Sequence, residues 1–236
     1  MFPISSGSLI AGLMFKLGWG SPQLIKMVIG VILKFDDVIG SSDQSASLTE
    51  IVLLGQFDLA VQDSENPTKQ LLRILVDVRG VYYVQRSELE IDVFLRDSHI
   101  AGLPMSGGMA IRASFGGAPN YLLSCGGVHP RFNKPTGFPD LERLSIGIAT
   151  GSSKVSLGLE TYNAVSSNSF QFGVLAQFEA TGSGWVLAGH LSFDTLLIFK
   201  PRFMFDLAFS FALALEKNGK SIASVSYTHL TLPTKA

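Results

Sequence analysis

The sequence is poor in charge and nearly free of cysteine. Asp, Glu, Lys and Arg make up 16% of its 236 residues, whereas about 25% is usual for a soluble domain. Cys125 is the single cysteine, which excludes an internal disulfide and a cysteine-rich zinc site. The formal net charge of -1 gives no electrostatic reason to expect nucleic acid as a partner.

Long apolar runs are missing as well. Lys16, Lys26 and Lys34 interrupt the candidates near the start of the sequence, so none reaches the roughly 18 uncharged residues of a membrane-spanning helix. Residues 1–20 lack the basic start of a signal peptide. The sequence therefore predicts no transmembrane helix. It leaves open whether the protein is cytoplasmic or is exported as part of a larger protein.

Large apolar residues in strict alternation are abundant. The mean hydropathy is +0.33, and 17 residues are Phe. The clearest run has a large apolar residue at every second position: Phe203, Phe205, Leu207, Phe209, Phe211, Leu213 and Leu215. A period of two places these side chains on one face of a β-strand.

Weaker alternation covers most of the chain and predicts its fold. The predicted strands are residues 8–18, 23–35, 49–61, 70–81, 85–96, 105–115, 120–126, 141–149, 153–163, 169–180, 184–199 and 202–216. Short connections favour antiparallel neighbours. Residues 22–35 also fit a helical stripe, but Gly30 and the β-branched residues there favour a strand. We expect an all-β protein with little or no helix, in which long antiparallel strands form a meander as a curled sheet, an open barrel or a two-layer sandwich.

The C-terminal residues do not fit this pattern. Residues 225–234 read Val-Ser-Tyr-Thr-His-Leu-Thr-Leu-Pro-Thr, which resembles the translation of a transposon-end adapter used in sequencing libraries. We therefore expect residues 1–224 to be a single β-rich module, a fragment of a longer chain. Residues 225–236 are expected to be a disordered, non-native tail.

One turn concentrates polar side chains that could bind a ligand. His129 and Arg131 flank Pro130, and Arg143 follows. The arginines could bind a carboxylate or phosphate, and His129 could act as an acid or base. The alternative is a structural crossing between strands, with prolines fixing the turn. No catalytic residues are assigned.

Other polar groups favour structural interpretations. His99, His129 and His190 fall on separate elements, so no metal site is predicted. Glu88, Glu90 and Asp92 alternate with apolar residues, which indicates the solvated face of a strand. The glycine pairs at 107–108, 116–117 and 126–127 open no helix, so hairpin ends explain them better than phosphate binding.

The aromatic residues near the C-terminus allow two interpretations. They form either a packed core layer or an apolar groove that binds or conducts lipid or another hydrophobic ligand. The candidate groove residues are Phe193, Phe199, Phe203, Phe205, Phe209 and Phe211.

Several motifs resemble one uncharacterised family. They are Gly-Trp-Gly-Ser-Pro at 18–22, Gly-Gly-Val-His-Pro-Arg-Phe at 126–132, Gly-Phe-Pro at 137–139, Leu-Glu-Arg-Leu at 141–144, Gly-His-Leu-Ser-Phe-Asp at 189–194 and Phe-Lys-Pro-Arg-Phe at 199–203. Together they resemble a bacterial family known as domain of unknown function 6603, over about residues 17–224. The resemblance implies a β-rich module of a longer polypeptide and implies no activity or site residues.

These observations favour a non-enzymatic structural or binding module of a large multi-domain bacterial protein. Its partners would be the remainder of its own polypeptide or neighbouring domains, and no cofactor is expected. The first alternative is the apolar groove with a hydrophobic ligand. The second alternative is an enzyme acting at the loop from His129 to Arg143.

Overall fold

The protein is described by a computed structural model that covers residues 8–20, 24–37, 46–63, 70–149 and 155–230. The strands are β1 (Ser8–Trp19), β2 (Ile25–Asp37), β3 (Ala46–Gln62), β4 (Gln70–Tyr83), β5 (Glu88–Ile100), β6 (Leu103–Ser106), β7 (Gly108–Ser114), β8 (Asn120–Cys125), β9 (Leu144–Ala149), β10 (Val155–Ser166), β11 (Ser169–Gly182), β12 (Trp185–Ile198), β13 (Met204–Lys217) and β14 (Lys220–Leu230). All strands belong to one curled antiparallel sheet. The predicted all-β meander is confirmed, and the open choice among three forms is resolved as a curled sheet.

The sheet is a meander with one interruption. β6 and β7 follow one another and together occupy a single strand position beside β5. The first half of β5 pairs with β7, and its end pairs with β6. β8 and β9 lie in the same way along β10. The fourteen strands therefore occupy twelve consecutive positions, and residues 126–143 leave the sheet between β8 and β9 as a loop. We call these residues the covering loop.

The structure can be compared with the sequence predictions in two regions, one near each end of the chain. Residues 25–35 lie in strand β2, as the β-branched residues indicated, and not in a helix. Residues 225–230 lie in β14 and pair with β13, with Phe211 opposite Tyr227. The structure therefore differs from the expected disorder for residues 225–230, whereas residues 231–236 lie outside the described residues.

The two faces of the sheet have different compositions. Cross-strand partners share a face, so the registers can be followed from strand to strand. One row runs from β1 to β13 as Leu13, Val31, Leu53, Gly80, Ile91, Ile111, Leu123, Val165, Phe170, Leu197 and Phe205. This row has ten strand spacings and extends about 48 Å along the curve of the sheet. We call the face to which it belongs the apolar face.

The opposite face carries the polar side chains and the core. The row behind the apolar one reads Met14, Gly30, Leu54, Arg79, Asp92, Ala110, Ser124, Ala164, Gln171, Leu196 and Asp206. The buried apolar side chains among the described residues are Val52, Leu75, Ala110, Leu122, Phe138, Tyr162, Ala164 and Leu196. All of them lie on this face or in the covering loop, so we call it the loop face.

The extent of exposed surface agrees with a single-layer sheet that the covering loop covers on part of one face. The chain exposes 15511 Å², whereas a compact monomer of 25.4 kDa would expose about 10,300 Å². Within the described residues we find no helix with the length and apolar character needed to span a membrane.

Candidate functional site

The covering loop is held by a small apolar cluster. Phe138 lies against Ala110, Leu122 and Ala164, which come from three adjacent strands of the loop face. Small residues at Ala110 and Ala164 leave room for the ring between the loop and the sheet. Since aromatic burial of this kind contributes roughly 1.5–3 kcal/mol, Phe138 is the main apolar attachment of the loop.

His129 is buried inside the covering loop. Its Nδ1 accepts a hydrogen bond from the backbone N–H of Arg131 at 3.1 Å, and its own backbone N–H donates to Oε1 of Gln171 at 2.8 Å. The side chain of Gln171 is completely buried. Burial lowers the pKa of His129 below its ordinary value of 6.5, although the nearby Asp206 carboxylate opposes this shift. The imidazole therefore acts here as a neutral acceptor that shapes the turn.

Arg131 joins the covering loop to β13. Its guanidinium donates to the carboxylate of Asp206. The Arg131 side chain is largely exposed, whereas that of Asp206 is 5% exposed. One edge of the guanidinium thus faces solvent while the buried carboxylate is paired.

Arg143 closes the other end of the loop. Its guanidinium donates to the carbonyl oxygens of Gly126 at 3.0 Å and Val128 at 3.3 Å, and its Cζ lies 3.9 Å from the ring centre of Tyr162. The Tyr162 hydroxyl donates to Oδ1 of Asp194 at 2.8 Å. Burial, followed by this hydrogen bond to a carboxylate, raises the pKa of Tyr162.

The three predicted ligand-binding residues therefore belong to one loop, where each has contacts within the protein. The side chains of His129 and Arg143 form hydrogen bonds with the backbone of the loop, and the guanidinium of Arg131 donates a hydrogen bond to Asp206. These contacts stabilise the crossing of the strands. Ligand binding by these residues stays a prediction.

A polar cleft beside the loop was missed by sequence reasoning. It has a volume of about 710 Å³ and is lined by residues that include Glu90, Arg112 and Arg131. Arg112 Nη1 lies 2.8 Å from Oδ1 of Asp92, whose residue is 8% exposed. The expectation that Asp92 lies on a solvated strand face is therefore wrong, because the guanidinium of Arg112 pairs with it under the loop.

The apolar face contains most of the predicted groove residues. Phe193 on β12 and Phe205, Phe209 and Phe211 on β13 share this face, since their registers place them in adjacent rows. The Phe172 and Phe193 rings have centroids 6.3 Å apart, within the range of favourable aromatic pairs. By contrast, Phe199 and Phe203 lie in the connection between β12 and β13 and are exposed.

Charge is nearly absent from the apolar face. Among the side chains that the structure describes, Lys217 at the end of β13 is the one acidic or basic residue in the regular ladders of β1–β13 on this face. The uncharged polar residues on it include Thr161, Asn163 and Thr195. None of the large apolar side chains described on this face is buried, so the face is large, continuous and without a protein layer in the described part of the chain.

A family model covers nearly the whole sequence. It is described as a family of unknown function (DUF6603) and matches residues 1–232. The chain belongs to DUF6603. Searches of curated proteins and of solved structures each found no match.

The family match confirms the resemblance of the sequence motifs to DUF6603. The matched range also includes residues 225–232, which the sequence analysis assigned to a non-native tail. The foreign origin of these residues stays a prediction. Within the described regions of this DUF6603 protein, no group of three or more His, Cys, Asp or Glu side chains could hold a metal ion.

Cys125 of the DUF6603 chain lies on the apolar face. It pairs with Asn163 and Met109 and is half-buried. Burial raises the pKa of its thiol, which disfavours the reactive thiolate at neutral pH. The position is consistent with a small apolar residue.

His129 gives the DUF6603 protein a testable pH dependence. Because its folded-state pKa lies below 6.5, the unfolded chain binds the proton first as the pH falls. The stability contributed by neutral His129 is therefore complete above about pH 6.5 and declines as the pH falls toward the folded-state pKa, by at most about 1.4 kcal/mol per pH unit. We expect His129→Asn, which keeps an acceptor but does not titrate, to reduce the loss of stability between about pH 7.5 and 5.5. Urea unfolding at each pH measures this, and an unchanged loss would contradict it.

Proposed function

We propose that this protein is a non-enzymatic lipid-binding module whose apolar face holds hydrocarbon chains. The observation that carries the proposal is the apolar row that crosses the sheet from Leu13 to Phe205 without a charged residue. A single-layer sheet with such a face must bury it against something apolar. Acyl chains are the occupant that we propose.

The chemistry of the face favours hydrocarbon over a protein surface. Protein interfaces contain about one hydrogen bond per 100–200 Å², as well as a polar rim. The apolar face offers few side-chain donors or acceptors for such bonds, and the hydroxyl of Thr195 is itself buried among apolar neighbours. An acyl chain needs no hydrogen-bond partner, so a face of this composition suits it.

The shape of the aromatic region also supports this occupant. The ring of Phe178 occupies the space beside Gly189, where a Cβ would lie 2.6 Å from its Cε1. Phe172 and Phe193 form a tilted pair nearby. These contacts fix the rings side by side along the sheet and leave their outer surfaces available to a chain lying across β11, β12 and β13.

A structural role in a larger assembly is the second candidate function. The observation that favours it is strand β1, which exposes large apolar residues on both faces, including Leu13 at 68% and Met14 at 78%. Natural edge strands are usually blunted by charge or proline, but β1 has Lys16 as its single charged residue. Such an edge suits pairing with another strand of the same sheet.

The proposal is tested on the full chain purified without detergent or organic solvent. Native mass spectrometry and solvent extraction should find acyl-chain lipids bound in at least about a one-to-one ratio. Lipid-free protein would overturn the proposal. If that protein also formed dimers through β1, as measured by light scattering with and without Leu13→Lys, the structural candidate would replace it.

A further inference from the structure

The polar cleft lies on the loop face, between the sheet and the covering loop. Its floor crosses the sheet from β5 to β13 through side chains of six strands: Glu90, Arg112, Leu122, Ser166, Ile198 and Met204. Residues 131–133 and 135–137 of the covering loop form its wall. This floor spans six strand spacings, or about 29 Å along the curve of the sheet. The cleft is therefore elongated, and its volume of about 710 Å³ is typical of sites that bind small molecules.

The two arginines that line the cleft are paired with carboxylates. Arg112 Nη1 lies 2.8 Å from Oδ1 of Asp92, and its Nε lies 4.0 Å from Oε2 of Glu90. Arg131 is paired with the buried Asp206. Neither arginine therefore presents an uncompensated positive charge to the cleft.

The acidic side chains that line the cleft are compensated in the same way. Oε2 of Glu88 lies 3.1 Å from Nε of Arg86, and Glu90 faces Arg112. A carboxylate or phosphate, which only accepts hydrogen bonds, would meet these glutamates, and an ammonium group, which only donates, would meet the arginines. The electrostatics of the cleft thus favour a neutral ligand.

The polar side chains of the cleft match hydroxyl groups. A guanidinium donates hydrogen bonds, a carboxylate accepts them, and an amide does both. The exposed amides of Asn120 and Asn133 lie at the cleft, together with Arg131 and Glu90. Because a hydroxyl both donates and accepts, a ligand rich in hydroxyl groups satisfies both kinds of partner.

The floor holds one of these groups in a fixed position. Arg112 Nη1 also donates to the carbonyl oxygens of Ile91 at 3.2 Å and Ile111 at 2.9 Å, and the Arg112 side chain is only 18% exposed. A side chain that is already held loses little conformational freedom when a ligand binds. The guanidinium is therefore preorganised for hydrogen bonding.

Apolar side chains lie between the polar ones. Ile198 and Met204 are half-buried in the floor, and Phe132 is half-buried in the wall. A sugar ring has hydroxyl groups at its edge and C–H groups on its faces, and these faces gain dispersion contacts with such side chains. A peptide is less suited, because the strands beneath the cleft have neighbours on both sides and cannot accept an added strand.

We propose that the polar cleft binds a neutral oligosaccharide, whose hydroxyl groups bond to the arginines, glutamates and asparagines while its C–H faces contact the apolar side chains. This is a second site. It does not depend on the proposed lipid binding, because the cleft and the apolar face lie on opposite sides of the sheet.

An array of immobilised neutral and charged oligosaccharides tests the proposal on the full chain. At least one neutral oligosaccharide should bind. Calorimetric titration with the same oligosaccharide in solution should give nearly equal affinities at low salt and in about 0.5 M NaCl, because salt screens only interactions between charges. The proposal would be overturned if no neutral oligosaccharide bound, if only charged ones bound, or if salt weakened the affinity about tenfold or more.

Variants of the exposed amides locate the bound sugar. Asn120→Ala and Asn133→Ala should each weaken binding about three- to tenfold, as expected for the loss of one hydrogen bond, and the double variant should weaken it further. Gln177→Ala is the matched control, because Gln177 is an exposed amide on the loop face outside the cleft, opposite Gly158 and His190. It should bind as wild type does.

Two further results would overturn the proposal. The first is a double variant that has the melting temperature of wild type and binds the oligosaccharide equally well. The second is an uncharged peptide of alternating Ser and Asn that binds with higher affinity than any oligosaccharide and loses this affinity in the double variant. That result would identify the polar cleft as a peptide site.

Discussion

Replacing Gly126 by Ala should destabilise the protein by about 2–5 kcal/mol. Gly126 is the residue at which the chain leaves the sheet after β8, and its φ is +72°. A Cβ there would lie 2.4 Å from the carbonyl oxygen of Thr161 and 2.8 Å from the backbone nitrogen of Leu144. Both contacts are with backbone atoms, so relief requires movement of β9 or β10.

The expected loss of stability has two causes. A left-handed conformation costs a residue with a side chain about 1–2 kcal/mol, and forcing extra volume into a packed region costs about 1–3 kcal/mol more. The matched control is Gly137→Ala, because Gly137 has a φ of +81° but nothing within 4 Å of an added Cβ. It should lose only the conformational part. Urea unfolding measures both variants, and equal losses would contradict the role of Gly126 as a backbone junction.

The strand pattern was predictable because it depends on local period alone. The predicted strand at residues 202–216 corresponds to β13 (Met204–Lys217), and the apolar residues from Phe205 to Leu215 share one face as the alternation indicated, whereas Phe203 lies just before the strand. Whether a second layer of protein packs against a face of the sheet does not follow from the alternation of apolar residues. A curled sheet and a two-layer sandwich both produce the same alternation, so only the structure could decide between them.

The covering loop shows a second limit of sequence reasoning. The glycine pairs at 107–108 and 126–127 were expected at hairpin ends. They lie instead where β6 meets β7 and where β8 ends, and Gly126 N–H donates to the Gly108 carbonyl at 2.7 Å. Turn residues indicate that the chain changes direction. They do not indicate that, after the loop, β9 pairs with the same strand, β10, as β8 did before it.

The polar residues of the loop face were misjudged for a related reason. Alternation correctly placed Glu90 and Asp92 opposite the apolar face, but the loop that covers Asp92 comes from residues far away in sequence. Arg112 supplies its counter-charge from the neighbouring strand. By contrast, the grouping of His129, Arg131 and Arg143 was visible in the sequence because all three belong to one loop.

On the proposed function, replacing Phe211 by Asp should release acyl chains from the apolar face. Phe211 lies on the apolar face between Leu191 on β12 and Tyr227 on β14, so an acyl chain crossing the sheet would pass over its ring. The change forfeits about 1.5–3 kcal/mol of apolar contact and places a carboxylate where desolvation costs several kcal/mol. Together these effects should weaken lipid retention more than about a hundredfold.

The neighbouring position provides the control. Ala212 is the next residue of the same strand, but it lies on the loop face opposite His190, so Ala212→Asp introduces the same charge away from the proposed lipid. It should retain acyl chains as wild type does. The measurement is the molar ratio of extracted acyl chains to folded protein, with the melting temperature recorded for each variant. Because one charge is added to each face at adjacent positions, a difference in lipid content between variants with similar melting temperatures reports what contacts the apolar face. Equal lipid content in Phe211→Asp and Ala212→Asp would show that this face does not hold the chains.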